Sequence, residues 1–176
     1  MALCLCASLS ALPSWASEPK GLGEEHGVQG EAEPHNLVAV RGIGVMALVE
    51  EERVFLAGPS VAFERALVPH VLEVELSAAL LFGEHAVVPV DLILKAPIHL
   101  SEVVQGYIGA GPLVVIPLGE VEGEEGGLHF GGIGSVGSYF WLWGDSGLMA
   151  ELDVALVSEA VLVTEIEVAL GAVFRF

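Results

Sequence analysis

The chain has 176 residues, of which 53% are hydrophobic, yet it carries a formal charge of -18 with only six Lys plus Arg. Acidic soluble proteins of this charge are usually less apolar, and helical membrane proteins show long runs without charge, so neither class fits. Basic residues are too few for a nucleic-acid surface.

Residues 1–16 read as a signal peptide, with a short apolar region from Ala2 to Leu12 and Ser14-Trp15-Ala16 placing small residues before a cleavage at Ser17. No Lys or Arg precedes Lys20, so a start inside a longer signal, or a buried amino-terminal strand or helix, competes with that reading. Cys4 and Cys6 both lie in this segment, and its removal leaves no cysteine for disulfides, thiol chemistry or metal. Residues 17–35, rich in Gly, Glu and Pro, are expected to form a flexible periplasmic linker.

Eight apolar or alternating segments follow, at 36–49, 53–66, 70–82, 87–97, 104–116, 129–141, 148–157 and 164–176. Their lengths suit tilted strands that cross a bilayer better than ordinary globular strands. Period-2 alternation is clearest in the third, where Leu72, Val74, Leu76, Ala78 and Leu80 oppose Glu73, Glu75 and Ser77. The fourth, seventh and eighth alternate in the same way. The charge-free stretch 126–144 is long enough for a membrane helix, but its seven glycines argue against one at roughly 1 kcal/mol each. Short turns at 67–69, 100–102 and 143–146 alternate with acidic loops at 50–52, 83–86, 118–128 and around Glu159. That asymmetry suits an outer-membrane barrel with both termini on the short-turn side. Pro59, Pro89 and Pro112 fall in the loop-side halves of their strands, where a closed barrel tolerates a lost hydrogen bond best.

The last segment alternates from Thr164 to Phe176 and ends Val-Ala-Leu-Gly-Ala-Val-Phe-Arg-Phe. It resembles the closing strand of bacterial outer-membrane β-barrel proteins, and the eight segments over 36–176 resemble their small OmpA-like and OmpX-like members. The resemblance implies an all-β, eight-stranded antiparallel up-and-down transmembrane barrel in a Gram-negative outer membrane. It also implies export, contact with outer-membrane lipid, and recognition of the final strand, with Phe174 and Phe176 as assembly signal, by the barrel-assembly machinery. A monomer without cofactor is expected.

Alternation places Arg41, Glu64, Glu73, Glu75, Asp91, Lys95, Glu151, Asp153, Glu165, Glu167 and Arg175 inside. Eight strands leave room only for side chains, so these charges are expected to form a structural plug. A hairpin about 83–86 would bring Lys95 to Glu73 and Glu75. A narrow cation-preferring path or small-ligand site is the functional alternative, and a soluble secreted β-sandwich or ligand-binding barrel the architectural one. The glycine-separated Glu120, Glu122, Glu124 and Glu125 lack the fixed turn of a calcium loop. The six histidines show no metal-ligand spacing, and His99 with Ser101 and Glu102 is the one local arrangement suggestive of catalysis. No enzyme is expected. Tyr139, Phe140, Trp141 and Trp143, with Phe174 and Phe176, are read as a membrane-interface belt.

Overall fold

The computed structural model describes residues 36–49, 52–118, 127–158 and 162–176. The expected signal peptide and linker, residues 1–35, lie outside them, as does most of the acidic loop at 119–126.

The strands are β1 (Asn36–Val49), β2 (Glu52–Val68), β3 (Leu72–Ala79), β4 (Leu81–Phe82), β5 (Ala86–His99), β6 (Val104–Leu118), β7 (His129–Trp143), β8 (Ser146–Ser158) and β9 (Leu162–Arg175). β3 and β4 are two pieces of one stave, so the nine segments make eight staves. Each stave pairs antiparallel with its neighbours in sequence, and β1 also pairs with β9 from Leu37↔Arg175 to Leu48↔Thr164, which closes the ring. At the seam Asn36 N donates to Phe176 O at 3.1 Å and Phe176 N to Asn36 O at 2.9 Å. This single closed sheet rules out the two-layer sandwich alternative. A stave of 14 residues is about 45 Å long, and at a tilt of about 40° it stands taller than the ~25 Å apolar band such barrels present to lipid.

Alternation sets the two faces. Outward positions carry large exposed apolar side chains on every stave, among them Val61, Leu76, Leu94, Ile108, Leu152 and Val168. A soluble barrel would keep such groups inside, since contiguous exposed apolar surface of this extent marks contact with a non-aqueous phase.

Two prolines interrupt the hydrogen-bond ladders. Leu80 N donates to Pro59 O at 3.0 Å, but Pro59 has no N–H to return, and the third stave breaks at Leu80. The β5–β6 ladder lapses between Asp91↔Leu113 and Leu94↔Ala110, at the level of Pro112. Pro89 pairs with Val115 without interruption.

The expected contrast between short turns and long loops is weaker than anticipated. On the side of Asn36 and Phe176, 69–71, 100–103 and 144–145 connect staves; on the other, 50–51, 83–85 and 159–161 are equally short, and 119–128 alone is long. Gly144 takes φ 64° in its two-residue turn, a conformation that favours glycine.

Candidate functional site

The barrel interior is layered. On the side of Asn36 and Phe176, Leu37, Ala39, Ala62, Tyr107, Tyr139, Met149 and Val173 form an apolar and aromatic layer backed by Trp141. On the loop side, Ile93, Leu113, Val115, Ile133, Val157 and Val163 form the main apolar layer, with a smaller cluster around Ile43, Val45 and Leu81. Between these layers sits a belt of charge. The sequence reading placed the charges but not the apolar floors above and below them.

Five of the expected residues meet directly. Lys95, 0% exposed, extends from β5 and donates to Glu75 Oε2 at 2.5 Å and to Tyr139 Oη at 3.1 Å. Its Nζ also lies 3.3 Å from Glu64 Oε2 and 3.4 Å from Glu151 Oε2, and 3.9 Å from the centre of the Tyr107 ring. Glu73 is its cross-strand partner in register, yet the close ion pairs go to Glu75, Glu64 and Glu151. Arg41 bridges two of these carboxylates from the opposite wall: Nη1 donates to Glu151 Oε1 at 2.6 Å and to Glu75 Oε1 at 3.3 Å, while Nε and Nη2 donate to Ser60 Oγ. Glu151 also accepts from Tyr107 Oη at 2.5 Å and Ser135 Oγ at 3.0 Å. Tyr139 Oη accepts from Lys95 and donates to Glu64 at 2.6 Å, so one phenol links cation to anion.

The other expected residues are inward but stand around this centre. Asp91 Oδ2 accepts from Ser77 at 2.6 Å. Asp153, 1% exposed, pairs in register with Glu167 across β8–β9, so two carboxylates face each other there. Glu165 and Glu73 point inward at opposite ends of the belt by the same alternation. Arg175 stacks on the Trp141 ring at 3.9 Å, at the end of the barrel where Asn36 and Phe176 meet.

The aromatic belt is a partial correction. Tyr139 is fully buried in the lumen, stacked at 4.8 Å on Tyr107, and Trp141 also turns inward. Phe140, Phe174 and Phe176 face outward, and Trp143 is exposed beyond a register shift between Trp141 and Trp143. Residues 139 and 141 share a face by pleat geometry, so they cannot both join Phe140 outside. Ser101, considered for catalysis, has its hydroxyl occupied: Oγ accepts from Val104 N at 3.1 Å and holds the turn.

Sequence reasoning missed Tyr107, Ser60 and Ser135. Their inward parity was readable, but the glycine that admits the tyrosine was not. A Cβ at Gly137 would come within 2.3 Å of Tyr107 Oη and 2.8 Å of Ala150 O. Gly137→Ala is therefore expected to push Tyr107 off Glu151 and to destabilise the barrel by about 1–3 kcal/mol, as overpacking does. A lower urea midpoint in the folded-to-unfolded gel shift would register this, and an unchanged midpoint would show that the wall yields freely.

No protein-family model matches the sequence, and no curated protein matches it. Among solved structures the chain is similar to neisserial surface protein A, with TM-score 0.68 and 11% identity over 80% of this chain and 97% of that one. It is also similar to the attachment invasion locus protein Ail of Yersinia pestis, solved with the heparin analogue sucrose octasulfate, with TM-score 0.59 and 15% identity over 82% and 99%. The N-terminal β-barrel domain of OprF from Pseudomonas aeruginosa gives TM-score 0.60 and 16% identity over 82% and 100%. The fold of this chain is that of the small eight-stranded outer-membrane β-barrels, the class that its terminal strand resembles.

Proposed function

We propose that the chain is an outer-membrane barrel protein with a structural or surface-interaction role, its lumen plugged and without transport or catalytic activity. The observation that carries the plug is the layering. Two apolar layers enclose a belt in which Lys95 and Arg41 are tied to Glu64, Glu75 and Glu151. A water-filled path needs a continuous polar lining, and an ionic belt in a dry setting is held together more tightly than one in water. On this reading the chain is exported by a cleaved signal peptide and inserted as a monomer by the barrel-assembly machinery. Phe174 and Phe176 on the outer face of the closing strand serve as the assembly signal. Its net charge of -18 favours a cationic partner at the loop rim over a polyanion of the kind bound to Ail.

One observation favours a second reading, a narrow cation-preferring path. The buried charged residues include two cations, Arg41 and Lys95, against Glu64, Glu75, Glu151 and Asp153, and Asp91 Oδ1 and Asp153 Oδ1 have no hydrogen-bond partner among the described residues. Planar-bilayer recording on protein whose gel band shifts on boiling decides between them. The plug reading expects no stepwise current in KCl. Reproducible unitary steps with a cation-selective reversal potential would overturn it in favour of the path.

A further inference from the structure

Two histidines far apart in sequence meet outside the lumen. Because β3 pairs with β5, the 69–71 turn and the end of β5 are neighbours at the end of the barrel where Asn36 and Phe176 lie. His70 in the turn and His99 at the end of β5 stand with their imidazoles 5.2 Å apart between ring centres, inclined at 60°. Both side chains are exposed.

The backbone beneath them adds a second, separate observation. His70 has φ 61°, the sole non-glycine with positive φ among the described residues. Pro69 precedes it, and Val71 N donates to Val68 O at 3.0 Å, so the turn has the type II pattern, in which glycine or asparagine usually takes the third position. An imidazole is thus fixed on a strained backbone directly beside a second imidazole.

We propose that His70 and His99 form a two-imidazole site for a divalent transition metal, taking Cu²⁺ ahead of Ni²⁺ and Zn²⁺. With metal–nitrogen bonds of about 2.0–2.1 Å, two imidazoles on one ion have ring centres roughly 4.5 Å apart at the cis angle of tetragonal Cu²⁺ and roughly 5 Å apart at a tetrahedral angle, so rotation of the rings converts the contact into chelation. Imidazole nitrogen suits Cu²⁺, Ni²⁺ and Zn²⁺, and Cu²⁺ leads the order of affinities. Among the described residues no group of three or more His, Cys, Asp or Glu is placed to hold an ion, so water completes the coordination and the metal exchanges readily. The lumen plays no part, and the site is independent of whether the barrel conducts.

The test uses the full chain folded in detergent, with Cys4 and Cys6 replaced by Ser and His26, His35, His85 and His129 by Gln, so that no thiol competes for or reduces the copper and His70 and His99 are the remaining histidines. Cu²⁺ is titrated and followed by electron paramagnetic resonance. One Cu²⁺ per barrel with two-nitrogen coupling is expected. Bidentate capture exceeds capture by either ring alone by about a hundredfold or more, so His99→Asn and His70→Gly should each weaken binding by that factor and leave one coupled nitrogen at most. His70→Gly suits the positive φ, so its heat-shifted gel band should persist while its copper site is lost. Binding that either variant leaves unchanged, or a parent without two-nitrogen coupling, would overturn the proposal.

Discussion

Replacing Lys95 by methionine is expected to cost about 3–5 kcal/mol of barrel stability, the usual penalty for removing one member of a buried ion pair. Methionine nearly fills the volume, so the loss is electrostatic. Glu75 loses its 2.5 Å partner, Tyr139 loses a donor, and Glu64 and Glu151 lose the ammonium that stands within 3.4 Å of each. Arg41 alone then holds Glu75 and Glu151, in a belt that lies between apolar layers. The urea midpoint of refolded protein in vesicles measures the effect. Adding Glu75→Gln should recover a substantial part of the loss, because partners in one network couple non-additively. A single variant as stable as the parent would mean that the carboxylates do not need the lysine.

The outer face provides the second large effect. Leu152 and Val168 are partners in register across β8–β9 and both are exposed. Arginine at either is expected to cost roughly 2 to 4 kcal/mol if it lies at the bilayer midplane. Placing both on one cross-strand pair adds like-charge repulsion. The Leu152→Arg/Val168→Arg variant should therefore fail to reach the outer membrane and give no heat-shifted band. Normal insertion would contradict a lipid-facing wall. The contrast with Lys95 is diagnostic, since one variant damages the interior and the other spares it.

Much of this architecture was legible because the pleat has a period of two. Strict alternation of acids with Leu and Val put Glu73, Glu75, Asp153 and Glu167 on the inner face, and the hairpin about 83–85 brought Lys95 level with Glu73. The same rule turns Tyr139 and Trp141 inward, but aromatic residues near a turn also fit an interface belt, so two patterns compete at these positions. The apolar floors were hidden for another reason. Near the loops, inward Ile93, Val115 and Val157 alternate with outward Leu92, Val114 and Leu156, so both faces read as oily. The split at Leu80 depends on a proline in the adjacent stave, and the meeting of His70 with His99 depends on which turns become neighbours; neither is written within one strand.

The seam between β1 and β9 makes the barrel a structure without halves. An unclosed sheet in hydrocarbon would present two rows of N–H and C=O groups with nothing to bond, each costing several kcal/mol. Seven staves are thus no nearer to a stable membrane species than two, however well each hairpin is formed. The residues bonded at the seam, Asn36 and Phe176, come from opposite ends of the described chain. Shielding of the backbone is complete only when the earliest and the latest of these strands are present together, which makes ring closure and burial in lipid a single event.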